Sequence, residues 1–339
     1  MSSDFKLGVV GLGGHGQTIQ NAIDKADGLS IGSVFDLSAE ERRRSVDRFG
    51  CYEASSFEDL LDHGMIDAIA IATPNHLHLS QVTAALDHGL HVFVEKPIAN
   101  QVDDGIKMID AAESRGKVLM VGHHMRFNRA SRKAKELLDG GTLGEIVSIE
   151  LHYSANNTPH YSKYSWRLQP EYCPLLPVTQ LAIHGIDVIH YLFSQIETVT
   201  ATARSVTVDA PVYDSVSALM QTRSGIAVTL TSNYCSPVLF EIRIATTTRN
   251  LIYRPHLVEL TPKLGMEGDA DEWTRFDYSD NTFDGYEAEI EVFRDALAAS
   301  NVDVEANGRD GLQALAVDAA LRRSIASGSR VQVADFVHV

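Results

Sequence analysis

The chain reads KLGVVGLGGHGQTIQNAIDK over residues 6–25, an apolar run followed by a glycine-rich turn and an amphipathic stretch. The glycines at 11, 13 and 16 match GxGxxG after a predicted strand and at the start of a predicted helix, the context that this pattern requires. We expect Gly11 to make the tight turn, Gly13 to let the backbone approach a pyrophosphate, and Gly16 to let the helix pack on the strand. The segment predicts a dinucleotide-binding βαβ unit. Its cofactor loop comprises Gly11, Leu12, Gly13, Gly14, His15 and Gly16.

The rest of the first third alternates short apolar runs with amphipathic stretches, which is typical of a parallel sheet. Strands are predicted at 6–10, 29–35, 68–72, 91–95 and 118–121. After residue 123 longer alternating segments indicate a mostly antiparallel sheet. Strands are predicted there at 146–153, 198–208, 215–222, 226–234 and 240–246, and helices at 129–138, 181–192, 286–299 and 309–327. We therefore predict an α/β protein with a doubly wound Rossmann domain (1–123) and an α+β domain (124–339) that holds a large, open, mixed sheet.

Composition argues against several classes of partner. The chain has 339 residues and a formal net charge of −16, which disfavours non-specific binding to nucleic acid and to anionic membranes. Its three cysteines are scattered without a CxxC pair, as is typical of a reducing compartment. We identify no signal peptide and no membrane span, and expect a cytoplasmic protein.

An acidic residue follows the second predicted strand. Asp36 lies 20 residues beyond Gly16, where a carboxylate accepts hydrogen bonds from the adenosine ribose and repels the additional phosphate of NADP. The arginines at 42–44 oppose this reading, but they fall on a predicted helix and are expected to form its solvated face. We predict NAD in preference to NADP.

Polar residues also follow three other predicted strands. Ligands of open α/β sheets bind at the carboxyl ends of the strands, so these residues are candidates for binding and chemistry. They are Thr73, Pro74 and Asn75, then Glu95, Lys96 and Pro97, and finally His123 and His124.

With these motifs, the sequence resembles the Gfo/Idh/MocA oxidoreductase family over essentially its whole length. The resemblance rests on the glycine-rich turn, Thr73-Pro74-Asn75 with His78, Glu95-Lys96-Pro97, Trp166-Arg167, the helix around His184 and the segment 308–331. It implies a Rossmann domain and an open mixed sheet that covers the nicotinamide. It also implies hydride transfer at a secondary alcohol of a sugar or polyol, with Lys96 holding the hydroxyl and His184 accepting its proton.

The resemblance assigns further residues to the site. Cofactor contacts are expected from Asp36, Thr73, Pro74, Asn75, His78, Glu95, Lys96 and Arg167. Substrate contacts are expected from Lys96, His124, Arg126, Trp166, Gln180, His184 and Tyr286.

One position departs from the family pattern. Many members place an aspartate four residues before the histidine, and here that residue is Gln180. Without a carboxylate to stabilise the imidazolium, His184 should be a weaker base, and Lys96 is an alternative base. Gln180 can instead orient the imidazole or bind a substrate hydroxyl.

A metal site is not expected. His184, Asp187 and His190 have suitable side chains, but His184 and His190 lie about 240° apart around a helix, so they do not converge on one ion. Asp187 is expected to anchor the helix by hydrogen bonding.

The leading functional prediction is an NAD-dependent sugar or polyol dehydrogenase that assembles as a homodimer or homotetramer through its second-domain sheet. Two alternatives stay open. One is an enzyme that oxidises a sugar transiently to eliminate a glycosidic bond and regenerates NAD in each cycle. The other is a non-catalytic NAD-binding regulator.

Overall fold

The computed structural model describes residues 5–62, 65–263 and 272–337. The chain divides into two compact units, the first comprising residues 1–124 and 286–312 and the second residues 125–285 and 313–339. The domain boundary at residue 123 stays a prediction. The segment 286–312, which that prediction assigns to the second domain, groups here with the first unit.

Helices and strands follow one another closely along the chain. The helices are α1 (Gly14–Lys25), α2 (Ala39–Phe49), α3 (Phe57–Asp62), α4 (His78–Asp87), α5 (Val102–Ser114), α6 (His124–Phe127), α7 (Arg129–Asp139), α8 (Ile183–Leu192), α9 (Asp284–Ala299) and α10 (Gly308–Ser327). The strands are β1 (Phe5–Val10), β2 (Leu29–Phe35), β3 (Tyr52–Glu53), β4 (Ala68–Ile71), β5 (His91–Glu95), β6 (Leu119–Gly122), β7 (Ile146–Ser154), β8 (Ile196–Arg204), β9 (Ser215–Thr222), β10 (Ala227–Asn233), β11 (Leu239–Thr246), β12 (Leu251–Arg254), β13 (Leu257–Leu260), β14 (Thr274–Asp277) and β15 (Val331–Gln332).

The first unit contains a parallel sheet of six strands in the order β3-β2-β1-β4-β5-β6. Every residue of the central strand β4 is buried, as expected for a strand covered on both faces, and so is every residue of β6 at the edge of the sheet. The strand order reverses between β1 and β4, so a ligand crevice is expected at the carboxyl ends of these two strands.

The segment 286–312 packs on this sheet. Phe293 of α9 meets Phe93 of β5 edge-to-face at 5.8 Å, and the Val121 N–H donates to the Ala306 carbonyl at 2.8 Å. A Cβ at Gly311 would lie 2.7 Å from a methyl carbon of Val121, so only glycine allows α10 to approach β6 this closely. These contacts explain why the segment belongs to the first unit.

The second unit contains nine strands in the order β14-β13-β12-β11-β7-β10-β9-β8-β15. β7 and β10 pair in parallel and the other neighbours are antiparallel, so the predicted mixed, mostly antiparallel sheet is confirmed. Burial alternates along β10, where Val228 and Leu230 are buried while Thr229 and Thr231 are exposed. One face of the sheet therefore carries the core of this unit.

The predicted strand at 198–208 is wrong at its end, because β8 stops at Arg204. The backbone N–H groups of Val206, Thr207 and Val208 donate instead to the Asp214 carboxylate at 2.7, 2.7 and 2.9 Å. Burial raises the pKa of Asp214, but these donors outweigh it and the pKa is lowered. A side chain has replaced a neighbouring strand as the hydrogen-bond partner.

Candidate cofactor and active site

The four glycines of the cofactor loop fall into two kinds. Gly11 has a φ of +83°, and a Cβ there would lie 2.7 Å from the Ala72 carbonyl group. A Cβ at Gly16 would lie 1.8 Å from the Gly11 carbonyl oxygen. A Cβ at Gly13 or Gly14, by contrast, would meet no atom of the protein within 4 Å. The first pair therefore closes the turn and the second pair lines open space.

The start of α1 suits an anionic group. Its N-cap residue is Gly13, which offers no side chain to the first N–H groups, and no acidic residue lies in the first turn. These N–H groups and the positive end of the helix dipole favour a phosphate. Together with the open space at Gly13 and Gly14, the loop fits the pyrophosphate of a dinucleotide.

Asp36 follows β2 and is bonded to the cofactor loop. Its Oδ2 accepts from the Leu12 N–H at 2.8 Å and its Oδ1 accepts from the Ser38 N–H at 2.7 Å. Each carboxylate oxygen has a further acceptor site, so the group can still accept hydrogen bonds from a ribose. The neighbouring Leu37 is 92% exposed, which leaves an apolar surface beside that carboxylate.

The arginines of α2 differ from their prediction in one case. Arg43 and Arg44 are exposed, as expected for a solvated face, but Arg42 is not. Its guanidinium donates to the Asp36 carbonyl at 2.7 Å and pairs with Glu53 at 2.9 Å. Because Glu53 compensates its charge, Arg42 is poorly placed to recruit an additional phosphate.

The polar residues at 73, 96 and 123 directly follow or closely follow β4, β5 and β6, which are neighbours in the sheet. His78 connects two of these strand ends. Its Nδ1 lies 3.0 Å from the Pro97 carbonyl oxygen and its Nε2 lies 3.0 Å from the Thr73 carbonyl oxygen. Burial lowers the pKa of His78, and the contacts with carbonyl oxygens oppose that shift. His78 therefore links the segments that follow β4 and β5 and supports the shape of the site.

Two other contacts fix these strand ends. The Thr73 hydroxyl donates to Gln81, and the Asn75 amide donates to Asn100 at 2.9 Å. Glu95 is buried, and its Oε2 accepts from the Lys96 N–H at 3.1 Å. Its Oε1 is buried without a hydrogen-bond partner among residues 5–62, 65–263 and 272–337, so it is an available acceptor. The peptide bond between Lys96 and Pro97 is cis.

Two predicted substrate residues of the first unit lie together. The His124 imidazole stacks on the Tyr286 ring with centroids 3.9 Å apart and an interplanar angle of 13°. The adjacent His123 is buried. The structure thus pairs His124 with Tyr286, while their contact with substrate stays a prediction.

In the second unit, residues 178–182 form a π-helical turn that runs directly into α8. Gln180 lies in this turn and His184 follows in α8, where it is 5% exposed. The Gln180 Oε1 accepts from the Arg167 Nε at 3.3 Å. Arg167 lies in a 3-10 helix, Trp166–Leu168. Its guanidinium carbon lies over the Trp166 ring, 4.5 Å from the ring centre.

Two tyrosines of this unit were not found from the sequence. The Tyr153 ring lies 6.4 Å from the His184 imidazole, and the Tyr161 ring lies 5.7 Å from the Arg167 guanidinium carbon. Both pack against the apolar cluster that contains Leu168, Leu176 and Leu181. Only the position of Tyr153 near the end of a predicted strand pointed to it.

Arg126 and Asp187 form a buried ion pair. They are 4% and 1% exposed, and both the Nε and one terminal nitrogen of Arg126 donate to the Asp187 carboxylate. Asp187 therefore anchors α8 through a charge, and the predicted substrate contact of Arg126 stays a prediction. His190 Nε2 accepts from the Ile196 N–H at 3.1 Å. Within the described part of the chain, no three His, Cys, Asp and Glu side chains are arranged to hold a metal.

Comparison with known proteins identifies the family. A model described as "Oxidoreductase family, NAD-binding Rossmann fold" matches residues 5–123, and one described as "GFO/IDH/MocA C-terminal domain" matches residues 131–251. The chain belongs to the Gfo/Idh/MocA oxidoreductase family. Its N-terminal domain is an NAD-binding Rossmann domain, which confirms the prediction of an NAD-binding unit.

Three similar proteins illustrate the range of this family. The 2,7-anhydro-N-acetylneuraminate hydratase of Escherichia coli is 31% identical over 198 residues, 58% of this chain and 52% of that protein. The inositol 2-dehydrogenase of Salmonella typhimurium is 23% identical over 327 residues, 94% of each chain. Levoglucosan dehydrogenase in complex with NADH shares the fold, with 22% identity, a TM-score of 0.89 and coverage of 97% and 99%.

The chain spans about half the length of the first curated relatives that it matches, at 54%, 52% and 53%. None of the helices in the described ranges is both long and apolar enough to cross a membrane.

Proposed function

We propose that this Gfo/Idh/MocA protein transfers hydride between a secondary alcohol of a sugar or polyol and NAD. The observation that carries the proposal is the row of polar residues at neighbouring strand ends, β4, β5 and β6, beside an open glycine loop. Relatives named inositol 2-dehydrogenase and levoglucosan dehydrogenase support the choice of substrate class.

The residues of the chain supply the proton chemistry. Bound NAD supplies a hydride acceptor for the carbinol carbon. We assign Lys96 to the reacting hydroxyl, because an ammonium there donates a hydrogen bond and stabilises the developing alkoxide charge. We assign His184 to accept the hydroxyl proton, since an imidazole has a suitable pKa near neutral pH.

Gln180 changes the balance between these two groups. A carboxylate in its place would stabilise a protonated His184, and a neutral amide does so less. The proton can then leave through Lys96, if that residue is neutral when the substrate binds. A rate profile that depends on one group titrating well above pH 7 favours Lys96 as the base, and one near pH 6–7 favours His184.

Several residues support NAD over NADP. Asp36 follows β2 and is bonded to the cofactor loop, and Glu53 pairs with Arg42 of α2. We expect an additional phosphate to be repelled by Asp36 and to compete with Glu53 for Arg42.

The experiment is an activity screen over a panel of substrates and both cofactors. Purified protein is incubated with NAD or NADP and with sugars, inositols, sugar acids and sugar phosphates, and the absorbance of the reduced nicotinamide is followed. A signal with one class, larger with NAD, supports the proposal. Lys96→Ala should lower the signal by about 10²- to 10³-fold, and a signal close to that of wild type would contradict the role assigned to Lys96. Silence across the panel, with NADH binding confirmed by fluorescence, contradicts the dehydrogenase and favours a regulator or the second candidate.

The second candidate is an enzyme with no net redox change, which the E. coli relative named as a hydratase favours. Such an enzyme oxidises its sugar transiently, removes or adds a group at the acidified neighbouring carbon, and returns the hydride. It would retain NAD through purification and convert an anhydro sugar or a glycoside without accumulating NADH. Product analysis by mass spectrometry separates it from a dehydrogenase.

We also propose that copies of the chain assemble through the exposed face of the nine-stranded sheet. Leu219 of β9, which pairs with the exposed Thr229 of β10, is 59% exposed there. Light scattering measures the number of subunits. Substitution of Leu219 by Lys should yield monomers, and an unchanged mass would place the interface elsewhere.

A further inference from the structure

Arg167 holds a charge that no acidic side chain in the described part of the chain compensates. Its Nε donates to the neutral Gln180 at 3.3 Å, and no Asp or Glu side chain of the described ranges forms an ion pair with it. The residue is half-buried, where an uncompensated charge is costly. A bound anion would remove this cost.

The guanidinium is also held in place. The Trp166 ring centre lies 4.5 Å and the Tyr161 ring centre 5.7 Å from its central carbon, so it has cation–π contacts with two aromatic side chains. The hydrogen bond to Gln180 uses Nε. The two terminal nitrogens are thus left to donate in parallel, the geometry in which arginine binds a carboxylate or a phosphate.

The position is close to the residues proposed for chemistry. Gln180 lies one helical turn before His184, and Tyr153 and Tyr161 pack on one apolar cluster. The whole chain has a net charge of −16, so its long-range field does not attract anions. Selection for an anionic group would have to come from a local cation such as Arg167.

We propose that Arg167 binds an anionic group of the substrate, so that the enzyme prefers a sugar acid or sugar phosphate over the neutral sugar. This inference rests on the proposed function and names its substrate class. Gln180 contributes to this selectivity, because an aspartate in its place would neutralise the Arg167 guanidinium. The resemblance to the family assigns Arg167 to the cofactor instead, and a phosphate of the cofactor offers the same chemistry.

The test measures binding without turnover. Protein saturated with NADH is titrated by calorimetry with matched probes that differ in charge: D-glucose, D-glucuronate and D-glucose 6-phosphate, then D-galactose and D-galacturonate. We expect at least one anionic probe to bind about 10- to 100-fold more tightly than its neutral partner, the range for a hydrogen bond to a charged group. Equal binding of every matched pair overturns the proposal.

Two variants locate the effect. Arg167→Gln should abolish the preference for the anionic probe and leave the Kd for NADH within about threefold. Gln180→Asp keeps Arg167 but adds a counter-charge, and should reduce the preference while circular dichroism stays unchanged. If Arg167→Gln weakens NADH binding and leaves the preference intact, Arg167 serves the cofactor and the proposal is wrong.

These outcomes separate the inference from the proposed function. Tight binding of an anionic probe without NADH formation across the sugar panel contradicts the dehydrogenase alone. Turnover of neutral polyols with no preference for charge contradicts only the role of Arg167. If Arg167→Gln does not fold, Arg167→Lys supplies the test, because it keeps the charge but loses the parallel pair of donors. The preference of this variant for the anionic probe over the neutral one should be weaker than that of wild type but still present. A preference equal to that of wild type would contradict binding through two parallel donors.

Discussion

Substitution of two glycines by alanine should separate cofactor binding from folding. A Cβ at Gly13 would meet no protein atom within 4 Å, and Gly13 has φ −68° and ψ −163°, a conformation open to alanine. Gly13→Ala should therefore change the free energy of unfolding by less than about 1 kcal/mol, because the lower entropy of the unfolded chain is offset by the poorer N-cap that alanine makes. The same methyl group should obstruct the pyrophosphate and raise the Kd for NADH more than about tenfold, or 1.4 kcal/mol.

Gly16→Ala should do the reverse. Its Cβ would lie 1.8 Å from the Gly11 carbonyl oxygen, which is a backbone atom and cannot rotate away. Overpacking of this kind costs about 1–3 kcal/mol, and NADH binding should weaken as well because the loop must shift. Gly14→Ala is the matched control for the stability of Gly16→Ala. It adds a methyl group to open space at the first residue of α1 and should be as stable as wild type.

Urea unfolding gives the free energies, and quenching of tryptophan fluorescence by NADH gives the Kd. The reasoning is refuted if Gly13→Ala binds NADH as wild type does, since the open space at Gly13 would then not hold the pyrophosphate. It is equally refuted if Gly16→Ala is as stable as wild type.

Four further perturbations test the site and its supports. Lys96→Ala should keep NADH binding and lower kcat by about 10²- to 10³-fold, because a donor to the developing alkoxide is lost; turnover close to wild type contradicts the assignment. Asp36→Ala should relax the preference for NAD, and an unchanged ratio of the Kd values for NADH and NADPH would place specificity elsewhere. Asp187→Asn leaves Arg126 buried beside a neutral partner and should lower the free energy of unfolding by about 3–5 kcal/mol, whereas the apolar pair Arg126→Met with Asp187→Leu should recover much of it. Because burial lowers the pKa of His78 below 6.5, the unfolded chain gains a proton first on acidification. Stability should therefore fall below pH 6.5 by up to about 1.4 kcal/mol per pH unit, and His78→Gln should flatten that slope in pH-dependent urea melts.

The Rossmann half was predictable because its signals are local. The helix predicted to carry the arginines at 42–44 is α2, because Ser38 caps its start and Gly50, at φ 65°, ends it. The sequence missed β12 and β13, whose connection at Pro255 and His256 lacks the Asn-Gly or Asp-Gly pattern that marks a hairpin. Short strands joined by an unmarked turn give no local pattern to detect.

Parts of the site were hidden for a different reason. The Arg126–Asp187 pair joins residues 61 positions apart, and the hydrogen bond from Leu12 to Asp36 joins residues 24 apart. Such partners are chosen by tertiary packing, so residue type and spacing predict a charged or polar group at each place but not what it binds. The same holds for Arg42, whose partner Glu53 is supplied by the short edge strand β3.

At Gln180, the sequence and the structure each supply part of the interpretation. In the sequence, Gln180 lies four residues before His184. The loss of a carboxylate at position 180 then concerns only the basicity of the His184 imidazole. The structure adds a π-helical turn at 178–182, a feature that apolar periodicity does not reveal and that is frequent at functional sites. It also shows that Gln180 accepts a hydrogen bond from Arg167. An amide in place of a carboxylate therefore alters two groups at once, because it leaves the imidazolium less stabilised and the guanidinium uncompensated. A sugar that brings its own anion would restore the missing charge, which is why a charged substrate and a neutral residue at position 180 are expected together.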